Sequence, residues 1–212
     1  MFISALLFIV AYFLGSIPTG YLAGRYLQGI DIREHGSGST GATNVLRTLG
    51  KPAAIAVLII DILKGALSLL LVNLVFSQVS SDILPASWYP WVITVAAIGA
   101  IIGHSKSIWL NFSGGKSVAT TLGVLLVMNP WLALGTLGTF LIVLAISRIV
   151  SLSSISGAIA VNLVAIALHL PLPYCIFAGI AGIYVIIRHK SNIQRLLAGT
   201  EPKIGQTLTE NT

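Results

Sequence analysis

Residues 118–147 read VATTLGVLLVMNPWLALGTLGTFLIVLAIS, an uncharged apolar run interrupted only by Asn129-Pro130. Whether it forms one kinked helix or two helices decides the topology of the whole chain. A bilayer core takes about 20 residues of helix, and fewer where an element is thin or broken. Read as two helices at 118–128 and 131–147, the run joins further apolar segments at 2–24, 54–76, 88–103, 154–168 and 172–187. The expected fold is all-α: a polytopic membrane protein with seven transmembrane helices, in one domain over residues 1–212.

Charge placement favours two helices over one. With seven spans and the N-terminus outside, the inner segments are 25–53, 104–117, 148–153 and 188–212. They hold Arg25, Arg33, Arg47, Lys51, Lys106, Lys116, Arg148, Arg188, Lys190, Arg195 and Lys203, leaving only Lys64 inside a span. The outer connections carry Asp82 and His169 but no Lys or Arg. A single merged helix would put Arg148 and the Arg188-His189-Lys190 cluster outside, against the positive-inside rule. Asn129-Pro130 then reads as a tight outer turn. Every polar segment returns to one face, so one site at the cytosolic interface is expected.

Composition sets the class. Charged residues make up 8% of the chain and hydrophobic ones 56%, with mean hydropathy +0.95. Soluble domains carry about 25% charged residues. A disordered chain, a nucleic-acid-binding tail and an ordinary cytosolic enzyme are excluded. The net charge of +6 is too small for a nucleic-acid face. Cys175 is the single cysteine, read as a small apolar filler. The opening apolar run lacks a basic leader and continues past Ser16 and Pro18, so it reads as a retained helix rather than a signal peptide.

Four polar segments carry the chemistry. In the first, Gly36, Gly38 and Gly41 match GxGxxG, yet a membrane helix and not a buried strand precedes them, which argues against a dinucleotide fold. Glycines beside Ser37, Ser39, Thr40 and Thr43 still suit an anion nest, and Asn44 and Arg47 follow at a helix start. In the second, Gly114-Gly115-Lys116-Ser117 resembles the end of a P-loop, but the required first glycine is Leu110. Lys116 precedes an apolar helix, where unpaired N–H groups favour phosphate. The third holds Arg148, Ser151, Ser153 and Ser154; serines at a helix start are read as caps. The fourth runs from Arg188, His189 and Asn192 to Glu201, with His189 and Asn192 spaced to share a helical face. Asp61 and Lys64, three apart in a span, are read as a structural pair, since isolated charges in lipid are expensive. GxSxG, CxxC, HExxH and a His followed five positions later by Asp are all missing, so a covalent serine intermediate has no evident base. On these residues alone an organic-phosphate transporter and a structural membrane subunit stay open beside an enzyme.

Together these segments resemble the bacterial membrane acyl-phosphate:glycerol-3-phosphate acyltransferase family over nearly all of the chain. The markers are Gly36–Arg47, Gly103-His104 through Thr120, Arg148 with Ser153-Ser154, and Arg188 through Glu201. The resemblance implies seven transmembrane helices. It also implies transfer of a fatty acyl group from acyl phosphate to the 1-hydroxyl of glycerol 3-phosphate, giving 1-acylglycerol 3-phosphate and inorganic phosphate in phospholipid biosynthesis. Membrane lipids surround such a protein; no cofactor, metal, nucleic acid or obligatory protein partner is implied. The location implied is the bacterial inner membrane, with the N-terminus outside and the C-terminus and active site cytoplasmic. Carried over residue by residue, Ser37, Arg47, Lys116, Ser154, His189 and Asn192 become catalytic candidates. Gly36, Gly38, Gly41, Thr43, Asn44, Gly114, Gly115, Arg188 and Glu201 become substrate-binding candidates. Ser39 stands where the family has Asn, and Ser117 where it commonly has Gly.

Overall fold

The computed structural model describes residues 2–206, so the end of the expected 188–212 segment lies outside the described residues. The described residues form helices α1 (Phe2–Ser16), α2 (Thr19–Gln28), α3 (Ala42–Thr48), α4 (Lys51–Gln78), α5 (Tyr89–Ser105), α6 (Val118–Met128), α7 (Pro130–Ser147), α8 (Val150–Ala167), α9 (Leu172–Arg188) and α10 (Lys190–Leu197). Pro52, Pro90, Pro130 and Pro173 sit in the first turns of α4, α5, α7 and α9, where a missing N–H costs nothing. The expected turn at Asn129-Pro130 is present. Asn129 Oδ1 accepts from the Leu132 N–H at 2.9 Å and caps α7.

The expected count of seven spans is corrected. Among the described residues five helical stretches are long and apolar enough to cross a membrane: Phe2–Gln28, Lys51–Gln78, Ala86–Ser105, Pro130–Ser147 and Val150–Ala167. Leu172–Arg188 with Lys190–Leu197, bent by 60°, brings the number to six. The element that falls short is α6. Its 11 residues reach about 16 Å at 1.5 Å per residue, roughly half of the hydrocarbon thickness. It packs between neighbouring helices instead, and its start belongs to the polar site. The serine caps are corrected as well. Helix α8 begins at Val150, so Ser153 and Ser154 lie inside it and donate back to the Ile149 and Val150 carbonyls at 2.8 and 2.9 Å.

Lipid supplies little hydrophobic drive between helices, so close backbone approach and polar contacts hold the bundle. Helices α1 and α5 meet where the Tyr12 carbonyl occupies the space a Cβ on Gly103 would need. Helix α6 meets α4 in the same way, with the Ile62 carbonyl at Gly123 and the Thr120 carbonyl at Gly65. Leu69, Ile93, Ile101, Val124, Leu125, Leu132 and Phe177 fill the interior. Leu63, Leu74, Ile142, Ile146, Leu163 and Ile183 face outward, where lipid covers them. The expected Asp61–Lys64 pair is present at 2.8 Å, and Lys64 also donates to the Ile17 carbonyl at 2.8 Å beside the Pro18 break.

These contacts gather the polar segments at one end of the bundle. Ser107 Oγ donates to the Ser16 carbonyl at 2.6 Å, tying the segment after α5 to the end of α1. Arg33 donates to Ser113 Oγ at 3.3 Å, and Ser151 Oγ donates to Glu201 at 2.7 Å. Phe2, at the start of α1, lies at the other end of that helix.

Candidate active site

The first wall of the site is the glycine-rich loop before α3, shaped by Asn44. Its Oδ1 accepts from the Ser37 N–H at 2.8 Å, and its Nδ2 donates to the carbonyls of Ile32, His35 and Ser39 at 3.1, 3.0 and 2.9 Å. All its polar atoms are used within the loop, which makes it the organiser of the wall. Gly36 has φ +59°, and a Cβ there would collide with Asn44 Oδ1. Gly38 has φ +68°, also in the left-handed region. The loop thereby places Ser37, Ser39 and Gly41 on the cavity, with Thr43 and Arg47 following on α3.

The second wall is the turn before α6. Ser117 has φ +63°, in the left-handed region that favours glycine. Its hydroxyl donates to the Ile101 carbonyl at 2.7 Å, which helps to offset the strain. Arg188 donates to the carbonyls of Gly114 and Gly115, each at 3.2 Å. Its Nε is buried and has no partner among the described residues. The glycines therefore place Lys116 and do not themselves line the cavity.

A chain of polar contacts crosses from this turn to the C-terminal segment. Lys116 Nζ donates to Asn192 Oδ1, and Asn192 Nδ2 donates to Glu201 Oε1 at 2.6 Å. Ser151 holds the same carboxylate oxygen, and Arg195 pairs with Oε2 at 2.6 Å. His189 stands at the bend beyond α9. Its Nδ1 lies 2.7 Å from the Val185 carbonyl, which fixes the proton on Nδ1 and leaves Nε2 as an acceptor. Ser154 sits one turn into α8 and lines the same cavity.

Electrostatics follow from this crowding. Burial pushes the Lys116 ammonium down to about 8; Glu201 counters it, while Arg195, Arg47 and Arg188 lower it further. Burial also lowers Arg47, against the pull of Glu201. Burial opposes ionisation of Glu201, but hydrogen bonds from Asn192, Ser151 and Arg195 prevail and hold it below the usual range. Burial pushes His189 down to about 4, so its imidazole is neutral near pH 7. The result is an end rich in cations and donors, with one carboxylate already neutralised.

That end opens into a cavity of about 750 Å³. The rest of its lining is largely apolar and includes Leu125, Leu137, Phe140, Leu144 and Val161. All six residues expected to be catalytic border this single cavity, together with Gly41, Thr43, Asn44 and Glu201. Gly36, Gly38, Gly114, Gly115 and Arg188 stand behind it as loop-shaping residues. Sequence reasoning passed over Ser151 and Arg195 as site residues, although both lie within its marked segments. It also passed over His104, which borders the cavity beside Asp61. The burial of Asp61 within an apolar helix was the available signal for that pair.

Comparison with known proteins gives the same picture over almost the full length. The profile of the glycerol-3-phosphate acyltransferase family matches residues 5–199. A glycerol-3-phosphate acyltransferase of Rippkaea orientalis is 67% identical over 208 residues, covering 98% of this chain and 96% of its own. One from Synechocystis sp. is 62% identical over 203 residues, covering 96% and 91%. Among solved structures, PlsY, an integral membrane glycerol 3-phosphate acyltransferase, superposes in its glycerol 3-phosphate form with a TM-score of 0.85 at 36% identity, covering 95% of this chain and 96% of that one. Its lysophosphatidic acid form gives 0.82 at 35% identity, with 95% of each chain covered. Cations on a largely apolar cavity, a shared bundle and this extent of identity agree: the chain belongs to the glycerol-3-phosphate acyltransferase family of integral membrane enzymes.

Proposed function

We propose that this cavity transfers a fatty acyl group from acyl phosphate to the 1-hydroxyl of glycerol 3-phosphate. The observation that carries the reading is one cavity whose lining joins Lys116, Arg47 and other polar groups to a largely apolar wall. Two phosphorylated substrates need the first, and an acyl chain needs the second. Lys116 and Arg47 hold phosphate oxygens, helped by Ser37 and the N–H groups of its loop. Ser154, His189 and Asn192 orient glycerol 3-phosphate. Arg188 and Glu201 fix Lys116 and Asn192 through the contacts already described.

The glycerol oxygen attacks the acyl carbonyl carbon, the carbon–oxygen bond to phosphate breaks, and inorganic phosphate leaves. The hydroxyl proton passes to a substrate phosphate oxygen. Acyl phosphate is already activated, so orientation and charge stabilisation supply the catalysis. The excess of basic residues at the site end argues that this end faces the cytoplasm of the inner membrane. The N-terminus then lies outside and the C-terminal segment inside. That orientation rests on the basic residues at the site end and on Phe2 lying at the opposite end of α1. Purified protein in detergent should release phosphate only when acyl phosphate and glycerol 3-phosphate are both supplied. Release that ignores glycerol 3-phosphate, or movement of substrate without turnover, contradicts the reading.

A further inference from the structure

Behind the Gly114-Gly115-Lys116 turn lies a buried polar cluster that no step of the proposed transfer uses. Asp61 Oδ1 accepts from Thr19 Oγ1 at 2.6 Å and from Lys64 Nζ at 2.8 Å, and it faces His104 Nδ1 at 3.5 Å. Asp61 is 1% exposed and His104 6%. The opposite edge of the imidazole meets the turn: a Cβ added to Gly115 would collide with His104 Nε2. A Cβ on Gly114 would collide with the His104 carbonyl, which also accepts the Gly115 N–H at 3.3 Å. Both glycines are thus moulded on one histidine, and Lys116 is the next residue.

Packing alone gives a poor account of this arrangement. An apolar side chain would fill the same volume without bringing polar groups to membrane depth, where they are costly. What the carboxylate adds is direction, because it stands against the Nδ1 edge of the ring at 3.5 Å. We propose that Asp61 and His104 form a buried carboxylate–imidazole prop that sets the Gly114-Gly115 turn and thereby aims Lys116 at substrate phosphate. Both are positioning residues, and the inference rests on the acyl-transfer reading of the site.

The test is a mutant cycle at residues 104 and 115 in the full-length protein in detergent. It is read as kcat/KM for phosphate release and as the rise in Tm given by inorganic phosphate. Gly115→Ala drives a methyl onto the ring and should lower kcat/KM ~100-fold, the scale of an ångström-sized misplacement. Gly115 has no positive φ, so the loss comes from the ring and not from the backbone. Adding His104→Ala vacates the space, and the double variant should recover ~10-fold over Gly115→Ala alone, a coupling expected only of touching residues. His104→Ala alone separates the roles. A prop predicts lower kcat/KM and a weaker Tm response to phosphate. A histidine that only stabilised the fold would lower Tm and leave both of these unchanged, which overturns the proposal. A double variant at or below Gly115→Ala, or a Gly115→Ala variant with normal turnover, overturns the proposal.

Wild-type protein that never releases phosphate would defeat the acyl-transfer reading instead, and the Tm response to phosphate would still rank the variants. Should the Gly115 variants not fold, Asp61→Asn, which preserves volume, decides. A weaker Tm response to phosphate supports the prop, and an unchanged response rejects it.

Discussion

Lys116 donates directly to Asn192, joining two segments 76 residues apart at the centre of the site. The amide in turn donates to Glu201, so the ammonium is oriented by a carboxylate it does not touch. That arrangement keeps Lys116 cationic and fixed in direction without neutralising it in a direct ion pair. A phosphate oxygen approaching the ammonium meets a donor with spare capacity.

The Lys116→Ala variant is expected to fold, because an interfacial lysine contributes little packing. Losing one oriented charge contact in a water-poor site should cost about 2–4 kcal/mol, roughly 30- to 1,000-fold in kcat/KM. Steady-state phosphate release with folding checked by size exclusion measures it. Near-normal turnover would remove Lys116 from the centre.

Activity should fall at alkaline pH. Burial places the free-enzyme ammonium at about 8. In the proposed mechanism the protonated form binds phosphate, and that form is present below this value and lost as pH rises through it. The kcat/KM profile is expected to bend downward near pH 8. Lys116→Arg, which stays charged, should move that bend upward even if its geometry lowers the rate. An unmoved bend assigns the ionisation elsewhere.

Glu201 is expected to matter for stability as well as turnover. It accepts from Asn192, Ser151 and Arg195, so Glu201→Ala leaves three donors without their acceptor. The loss should be about 2–4 kcal/mol, as for other buried charge-assisted contacts. Its carboxyl sits below the ordinary range, so its contribution is full above the unfolded value and disappears as pH falls through the folded one. Thermal unfolding in detergent at neutral and acid pH should show a Tm gap between wild type and variant that narrows on acidification.

His189 should act by orientation. With Nδ1 bound to the Val185 carbonyl and its ionisation depressed to about 4, it is a weak proton acceptor at neutral pH. His189→Asn and His189→Gln are expected to use glycerol 3-phosphate less well yet keep the principal kcat/KM pH dependence. Loss of an ionisation near 4 in both folded variants, with recovery on adding imidazole, would make His189 the general base.

Orientation in the membrane can be read by single-cysteine labelling after replacing Cys175. Ser81, Lys106 and Gly199 are exposed and serve as reporter positions. Position 81 should react from outside, and positions 106 and 199 only from inside. Labelling of position 199 from outside would reverse the proposed orientation.

The sequence by itself determined the class of protein and the chemistry of its segments. Lipid solvation is a property of composition, so long uncharged runs announce membrane helices before any fold exists. Glycine, serine and lysine clusters likewise declare anion binding locally, through backbone freedom and charge. The Asp61–Lys64 pair was legible for the same reason, since i,i+3 spacing is set by helix geometry. Burial was not legible in that way. The run at 118–128 shows its bounds in the sequence, but only packing against α4, with Gly123 under the Ile62 carbonyl, shows it to be a covered helix rather than a span. Nor does any local pattern pair Lys116 with Asn192, turn Asn44 inward to organise its loop, or set His104 beneath Gly115. Those relationships depend on where distant helices end in space. Tertiary packing alone brings such ends together, because each contact spans tens of residues and leaves no periodicity along the chain.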